Sequence, residues 1–133
     1  MQNDESKLMA TSLIGSQSGR TFYAKVISFQ NGCFITIDEG SGKLGSISIA
    51  ISSSSKTHTA KVIPSKFDSI FIDTICQRVS SLINGICLVS LHSAKQLQFE
   101  DMKAIMDEVM TLIRGEIGSG DDNKVNSEQV TKV

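Results

Sequence analysis

The chain has almost no net charge, only two histidines, three cysteines without a CxxC pair, and no long apolar run. A formal charge of −1 supplies no basic field for releasing counterions from nucleic acid, and no acidic tract that would draw in a basic partner. The cysteines Cys33, Cys76 and Cys87 are odd in number and cannot all pair within the chain, so they are expected to be free, buried thiols in a reducing compartment. No apolar stretch approaches the ~20 residues that span a bilayer. The opening Met1-Gln2-Asn3-Asp4-Glu5-Ser6 is polar and acidic, unlike the basic and apolar regions of a secretory signal. The expectation is a cytoplasmic protein, with a nuclear location also open to it, and with no membrane and no nucleic-acid partner.

Catalytic and cofactor motifs are also missing. Gly42-Lys43 lacks the glycine five residues earlier and the following hydroxyl of a phosphate loop, since Ile37 and Leu44 stand there. Gly15-Ser16-Gln17-Ser18-Gly19 has Gln17 where a nucleophile elbow needs serine. His58 lies in a serine-rich stretch and His92 at a strand end, neither with a nucleophile at a recognisable spacing. Histidines and cysteines are scattered without metal-ligand spacing. Asp107 and Glu108 are adjacent, so on a helix they diverge by about 100° and read as part of a solvated side. Phe29 and Phe34 could stack bases as the aromatics of an RNA-binding sheet do, but little positive charge accompanies them. No catalytic residue, cofactor or metal is expected, and the chain is read as a non-enzyme.

What is present is a pattern of elements. A length of 133 residues suits one domain that buries roughly two thirds of its unfolded surface. Thr21 to Asp38 reads as two strands joined at Asn31-Gly32, a dipeptide suited to a type I′ turn. That turn pairs Phe29 with Phe34, Ile27 with Thr36 and Lys25 with Asp38. Ala24, Val26, Cys33, Ile35 and Ile37 then share one side, and Ile27, Phe29 and Phe34 the other. Leu44 to Ser52 alternates, with Ile47, Ile49 and Ile51 on one face and Ser46, Ser48, Ala50 and Ser52 opposite. A mobile loop is expected over Ser52 to Thr59, a short strand over Ala60 to Ile63, and an edge strand over Leu8 to Ile14.

From Lys66 the apolar period changes to three and four, ending at Asn84-Gly85. Ser65, Asp68 or Ser69 is positioned to cap that helix. Ile86 to Leu91 reads as a central strand buried on both faces. A second helix carries the stripe Phe99, Met102, Ile105, Met106, Val109, Leu112 and Ile113, has Glu100, Asp101 and Lys103 on its wet side, and stops at Gly115. The predicted fold is α+β: a mostly antiparallel sheet of five to six strands with two helices, ordered β-β-β-β-(β)-α-β-α over residues 8–115, between a flexible 1–7 and a disordered polar tail, 116–133.

Two helices can cover only one side of such a sheet, which leaves Ile27, Phe29 and Phe34 either against a partner or packed on one another or beneath the terminal strand. The string Gly42 to Ile51 (GKLGSISIAI), the serine-rich loop, short strand and apolar helix after it, and the closing strand and helix from Ile86 to Arg114 together resemble the small proteasome assembly chaperones. The resemblance is to the chaperone 3 family, with the related chaperone 4 family as the close alternative, and it covers most of residues 21–114. It implies a sheet with two helices, pairing through sheets with a related chaperone (a heterodimer, or a homodimer), and binding of α-type subunits as the 20S α-ring assembles. It would place Ile27, Phe29, Phe34 and Thr36 on a dimerising face, and Lys56, His58 and Lys61 in a loop that reaches the α-subunits. A roadblock- or longin-like scaffold subunit of a trafficking or motor complex is the alternative; such folds begin with a helix or interleave helices differently. A small enzyme using His58 or His92 would need a deep pocket of converging polar groups.

Overall fold

Period-2 patterning in the first half of the chain and period-3.6 patterning in the second produce, in a computed structural model that describes residues 9–40 and 42–125 (side chains to residue 115), six strands and two helices. The strands are β1 (Met9–Gly15), β2 (Thr21–Phe29), β3 (Gly32–Asp38), β4 (Ser46–Ser53), β5 (Lys56–Ile63) and β6 (Ile86–His92); the helices are α1 (Ser69–Ile83) and α2 (Phe99–Val125). One sheet holds all six strands in the order β1-β2-β3-β6-β4-β5. Only the β3–β6 ladder is parallel. The predicted α+β class and element order are therefore found, with the fifth strand formed over eight residues.

Both helices pack on the same face. Phe22, Ala24 and Val26 of β2, Ile35 and Ile37 of β3, and Cys87, Val89 and Leu91 of β6 join Ile72, Ile75, Ile105 and Val109 in one core. Each large side chain removed from water there contributes roughly 1.5–3 kcal/mol. β4 turns small residues toward α1: Ser48, Ala50 and Ser52 are buried, so the helix can approach closely. Their hydroxyls are satisfied, Ser48 Oγ donating to Asp73 at 2.8 Å and Ser52 Oγ sharing a hydrogen bond with Ser80 Oγ at 2.8 Å.

The hairpin register differs from the expected one. Phe29 pairs with Gly32 and Ile27 with Phe34, so the loop is Gln30-Asn31 and Lys25 faces Thr36 rather than Asp38. No residue of this turn has positive φ. Gly32 is required for another reason: a Cβ there would lie 2.2 Å from the Ile86 carbonyl oxygen of the neighbouring strand. The shift preserves the predicted faces because it moves each partner by two positions. The paired positive-φ turn is instead Ser54-Ser55 (φ 52° and 68°), which joins β4 directly to β5. The expected mobile loop over 52–59 is thus a tight two-residue hairpin, with Ser52-Ser53 and Lys56 to Thr59 in strands.

α1 ends as predicted, with Asn84 taking the left-handed conformation and the Gly85 amide donating to the Ser80 carbonyl at 3.1 Å. Asp68 stands at the N-cap without a side-chain cap; its carboxylate accepts from the Leu97 amide at 3.2 Å. α2 runs past Gly115 to Val125. Gly115 is not among the positive-φ glycines, and an interior helical glycine costs only about 1 kcal/mol, too little to end a helix without proline or a left-handed cap. The expected disordered tail is therefore helical as far as Val125. Residues 126–133, the stretch 1–7 expected to be flexible, and Leu8 lie outside the described residues. Two stripe assignments also change: Phe99 is exposed and Asp101 is fully buried.

Candidate functional site

No described element covers the face of the sheet away from the helices, and the register sorts its side chains into rows. Met9, Ile27, Phe34, Leu88, Ile49 and Ala60 stand side by side across all six strands. A neighbouring row is Phe29, Gly32, Ile86, Ile51 and His58. On the other side lies Thr11, Lys25, Thr36, Ser90, Ile47 and Ile63, followed by Leu13, Tyr23, Asp38 and His92. The face is thus apolar at the end carrying the β2–β3 turn and polar near Asp38. Phe29 is 60% exposed and Ile51 46%, while Ile27, Phe34 and Leu88 are half-buried only by their strand neighbours. β6 is central as expected, but its second face is covered only in this partial way.

All four residues expected on a dimerising face, Ile27, Phe29, Phe34 and Thr36, lie on this open side. Phe29 and Phe34 do not pair with one another across the hairpin. Lys56, His58 and Lys61 lie in β5 rather than in a loop, and they divide between faces. Lys56 pairs with Ser53 beside the turn, His58 is opposite Ile51 on the open face, and Lys61 points to the helix side, where Nζ meets Asp73 Oδ2 at 2.6 Å. The isoleucines of β4 are legible in the sequence as a set, and the structure adds them to the same open surface.

At the polar end the segment after β3 folds over the sheet edge. Asp38 accepts from the Gly42 and Lys43 amides and from His92 Nδ1 at 2.9 Å. Burial works against its charge, but these donors outweigh it and hold the carboxyl below its usual range. Among the described residues no hydroxyl or thiol is bonded to either histidine ring, and no three His, Cys, Asp or Glu side chains converge as a metal site would require. Cys33, Cys76 and Cys87 are free and buried. Cys33 and Cys87 stand in register with their sulfurs 3.9 Å apart, and the hydrogen-bonding contacts with the Cys33 and Cys76 thiols, together with burial, keep the Cys87 thiol protonated and push it far above its usual range.

A second cluster, invisible in the sequence, clamps this end of the fold. Arg20 uses all five donors: Nε and Nη2 to Glu39 at 2.9 and 2.7 Å, Nη1 to Asp101 at 3.0 Å, and Nη1 and Nη2 to the Gln96 and Lys95 carbonyls. Asp101 also accepts from Ser18 Oγ and from the Gln98 amide at 2.9 Å. Desolvation raises its pKa, but hydrogen bonds from Ser16, Ser18 and Gln98 and the charge of Arg20 prevail, holding it at about 2. The cluster joins the β1–β2 loop, the end of β3, the β6–α2 connection and α2. Its groups are consumed by one another, which suits bracing rather than chemistry.

No protein-family model matches the chain, and no curated protein matches it. A solved structure does: a chain from the crystal structure of a novel chaperone complex for yeast 20S proteasome assembly superposes with a TM-score of 0.60 at 12% identity, over 79% of this chain and 98% of that one. The fold is therefore one found in a proteasome assembly chaperone complex. Five strands precede the first helix among the described residues, unlike the order expected of a roadblock- or longin-like scaffold.

Proposed function

We propose that this chain is a non-enzymatic proteasome assembly chaperone that stacks its open sheet face on a related small chaperone and, as a dimer, binds α-type subunits to promote 20S α-ring assembly. The observation that carries the reading is the apolar row from Met9 to Ala60, unopposed by any element of the described chain. Six strands about 4.8 Å apart and four alternating rows make a face of roughly 25–30 Å on each side, or about 700 Å². A standard interface buries about 800 Å² per partner, so one sheet on another is of the right size. The likeness of fold to a chain of a 20S assembly complex supports the choice of client. The sequence resemblance favours chaperone 3 over chaperone 4, and the free thiols suit action in the cytoplasm, with the nucleus also open to it.

Within this reading Ile27, Phe29 and Phe34 anchor the stacked sheets, with Thr36 at the edge of the contact. Of the three residues expected to reach the α-subunit, His58 on edge strand β5 makes that contact, while Lys61 is held by Asp73 and Lys56 faces the companion. The task needs no reaction. Binding a subunit in one orientation lowers the entropic cost of closing a ring, and blocking wrong neighbours supplies fidelity. Affinity purification of the tagged full-length chain from native extract should recover α-type 20S subunits and a small companion chaperone, and Phe34→Asp should lose the companion while keeping its circular dichroism spectrum. Recovery of neither class of protein by a folded chain overturns the proposal.

A further inference from the structure

The open face has an unbalanced charge. Every carboxylate with a described side chain lies elsewhere except Asp38, and Asp38 is already occupied by His92 and two backbone amides. The cations on or beside the face are Lys25, Lys43 and Lys56. Lys25 lies on β2, one strand in from the edge, between Thr11 and Thr36. Lys43 shares a concavity with Tyr23, Lys25 and Thr36 at the polar end. Lys56 opens the outer strand at the opposite corner, across from Ser53. All three are exposed and none forms an ion pair among the described residues, whereas Lys61, on the helix side, has found Asp73. The local sign is positive although the whole chain carries −1.

A sheet laid over this face covers these ammonium groups partly, and a covered charge without a partner is costly. The same face of a second copy presents the same three lysines and, among the described residues, no free carboxylate. A face with the same apolar rows but acidic residues toward its two ends meets both requirements at once. Resting on the docking role proposed above, we infer that Lys25, Lys43 and Lys56 select the partner: the occupant of the open face is a different polypeptide whose apolar sheet face carries carboxylates opposite these lysines. The apolar rows supply area, and the lysines discriminate by leaving a like-charged face with buried, unpaired cations.

The chain can be converted into its own complement, which provides the test. Full-length wild type and the triple variant K25E/K43E/K56E are each run alone and as an equimolar mixture in sedimentation equilibrium at micromolar concentration. Each alone sediments as a monomer, and the mixture sediments with the mass of a 1:1 dimer. Its dissociation constant rises at least about tenfold as salt increases from about 0.05 to 0.5 M. Adding Phe34→Asp to either chain returns the mixture to monomers. Circular dichroism checks folding, and K25E/K56E substitutes for the triple variant should the latter lose its fold. A mixture that stays monomeric, or one that pairs equally well with Phe34→Asp present, overturns the inference. A wild-type dimer abolished by Phe34→Asp overturns it too, but leaves the docking role of the face standing.

Discussion

Removing Arg20 tests whether the clamp at the polar end holds the fold as its geometry implies. In Arg20→Met, the Lys95 and Gln96 carbonyls are exposed and turn to water, and Glu39, with a side chain 17% exposed, can do so in part. Asp101 cannot, because its side chain is 0% exposed. It keeps Ser16, Ser18 and the Gln98 amide but loses the one counter-ion it has among the described residues. Breaking a buried pair from one side costs about 3–5 kcal/mol, and the surviving donors to Asp101 place this case near the lower end, about 3 kcal/mol. That is a large share of the ~5–15 kcal/mol by which a domain is stable. Asp101→Asn alone should cost about 2 kcal/mol, and the double variant less than the sum by at least about 1.5 kcal/mol, since the orphaned charge is gone. Urea unfolding of the four proteins gives the cycle. Additivity within about 0.5 kcal/mol would show that the two residues do not sense one another, and the account of the clamp would fall.

The same contacts set two further outcomes. Asp101 has its pKa lowered from 3.8 to about 2 on folding, so its contribution of about 2 kcal/mol is present above pH ~4 and is lost as pH falls toward 2. Acid titration of unfolding free energy should show this decline in wild type and a flatter curve in Asp101→Asn; equal slopes would refute it. Replacing Ser54-Ser55 with Asn-Gly should raise Tm by about 4–8 °C, because two L-residues now hold left-handed φ at about 1–2 kcal/mol each, of which Asn and Gly avoid roughly half. An unchanged or lower Tm in a calorimetric scan would contradict the turn assignment.

The element order and the two-sided apolar hairpin are legible in the sequence because they rest on periodicity, which is local. The positions of glycine are legible but their reasons are not. Gly32 looks like a turn residue until Ile86, more than fifty positions away, is seen to leave it no space for a side chain. Positive φ goes instead to two serines that no propensity marks for it. Asp101 reads as solvated from its charged neighbours, although it stands four residues before Ile105 and so falls on the stripe that continues through Val109 and Ile113, all buried. That spacing is the available signal. Its partner Arg20 cannot be found the same way, since 81 positions separate them. Isoleucines 47, 49 and 51 visibly share a face, but only the approach of α1 to Ser48, Ala50 and Ser52 decides that this face is the open one.

The insertion of β6 between β3 and β4 governs when the chain acquires its surface. As a nascent polypeptide leaves the ribosome, β1-β2-β3 and β4-β5 can each zip up locally, yet no ladder ties one group to the other. Leu88 is the missing tile between Phe34 and Ile49, and it arrives only after α1 has been made. Closing that long-range gap is the slow, entropically costly step of such a topology. The six-strand surface is thereby completed late in translation: a half-made molecule holds two separate sheets, and the face becomes continuous only when β6 joins them.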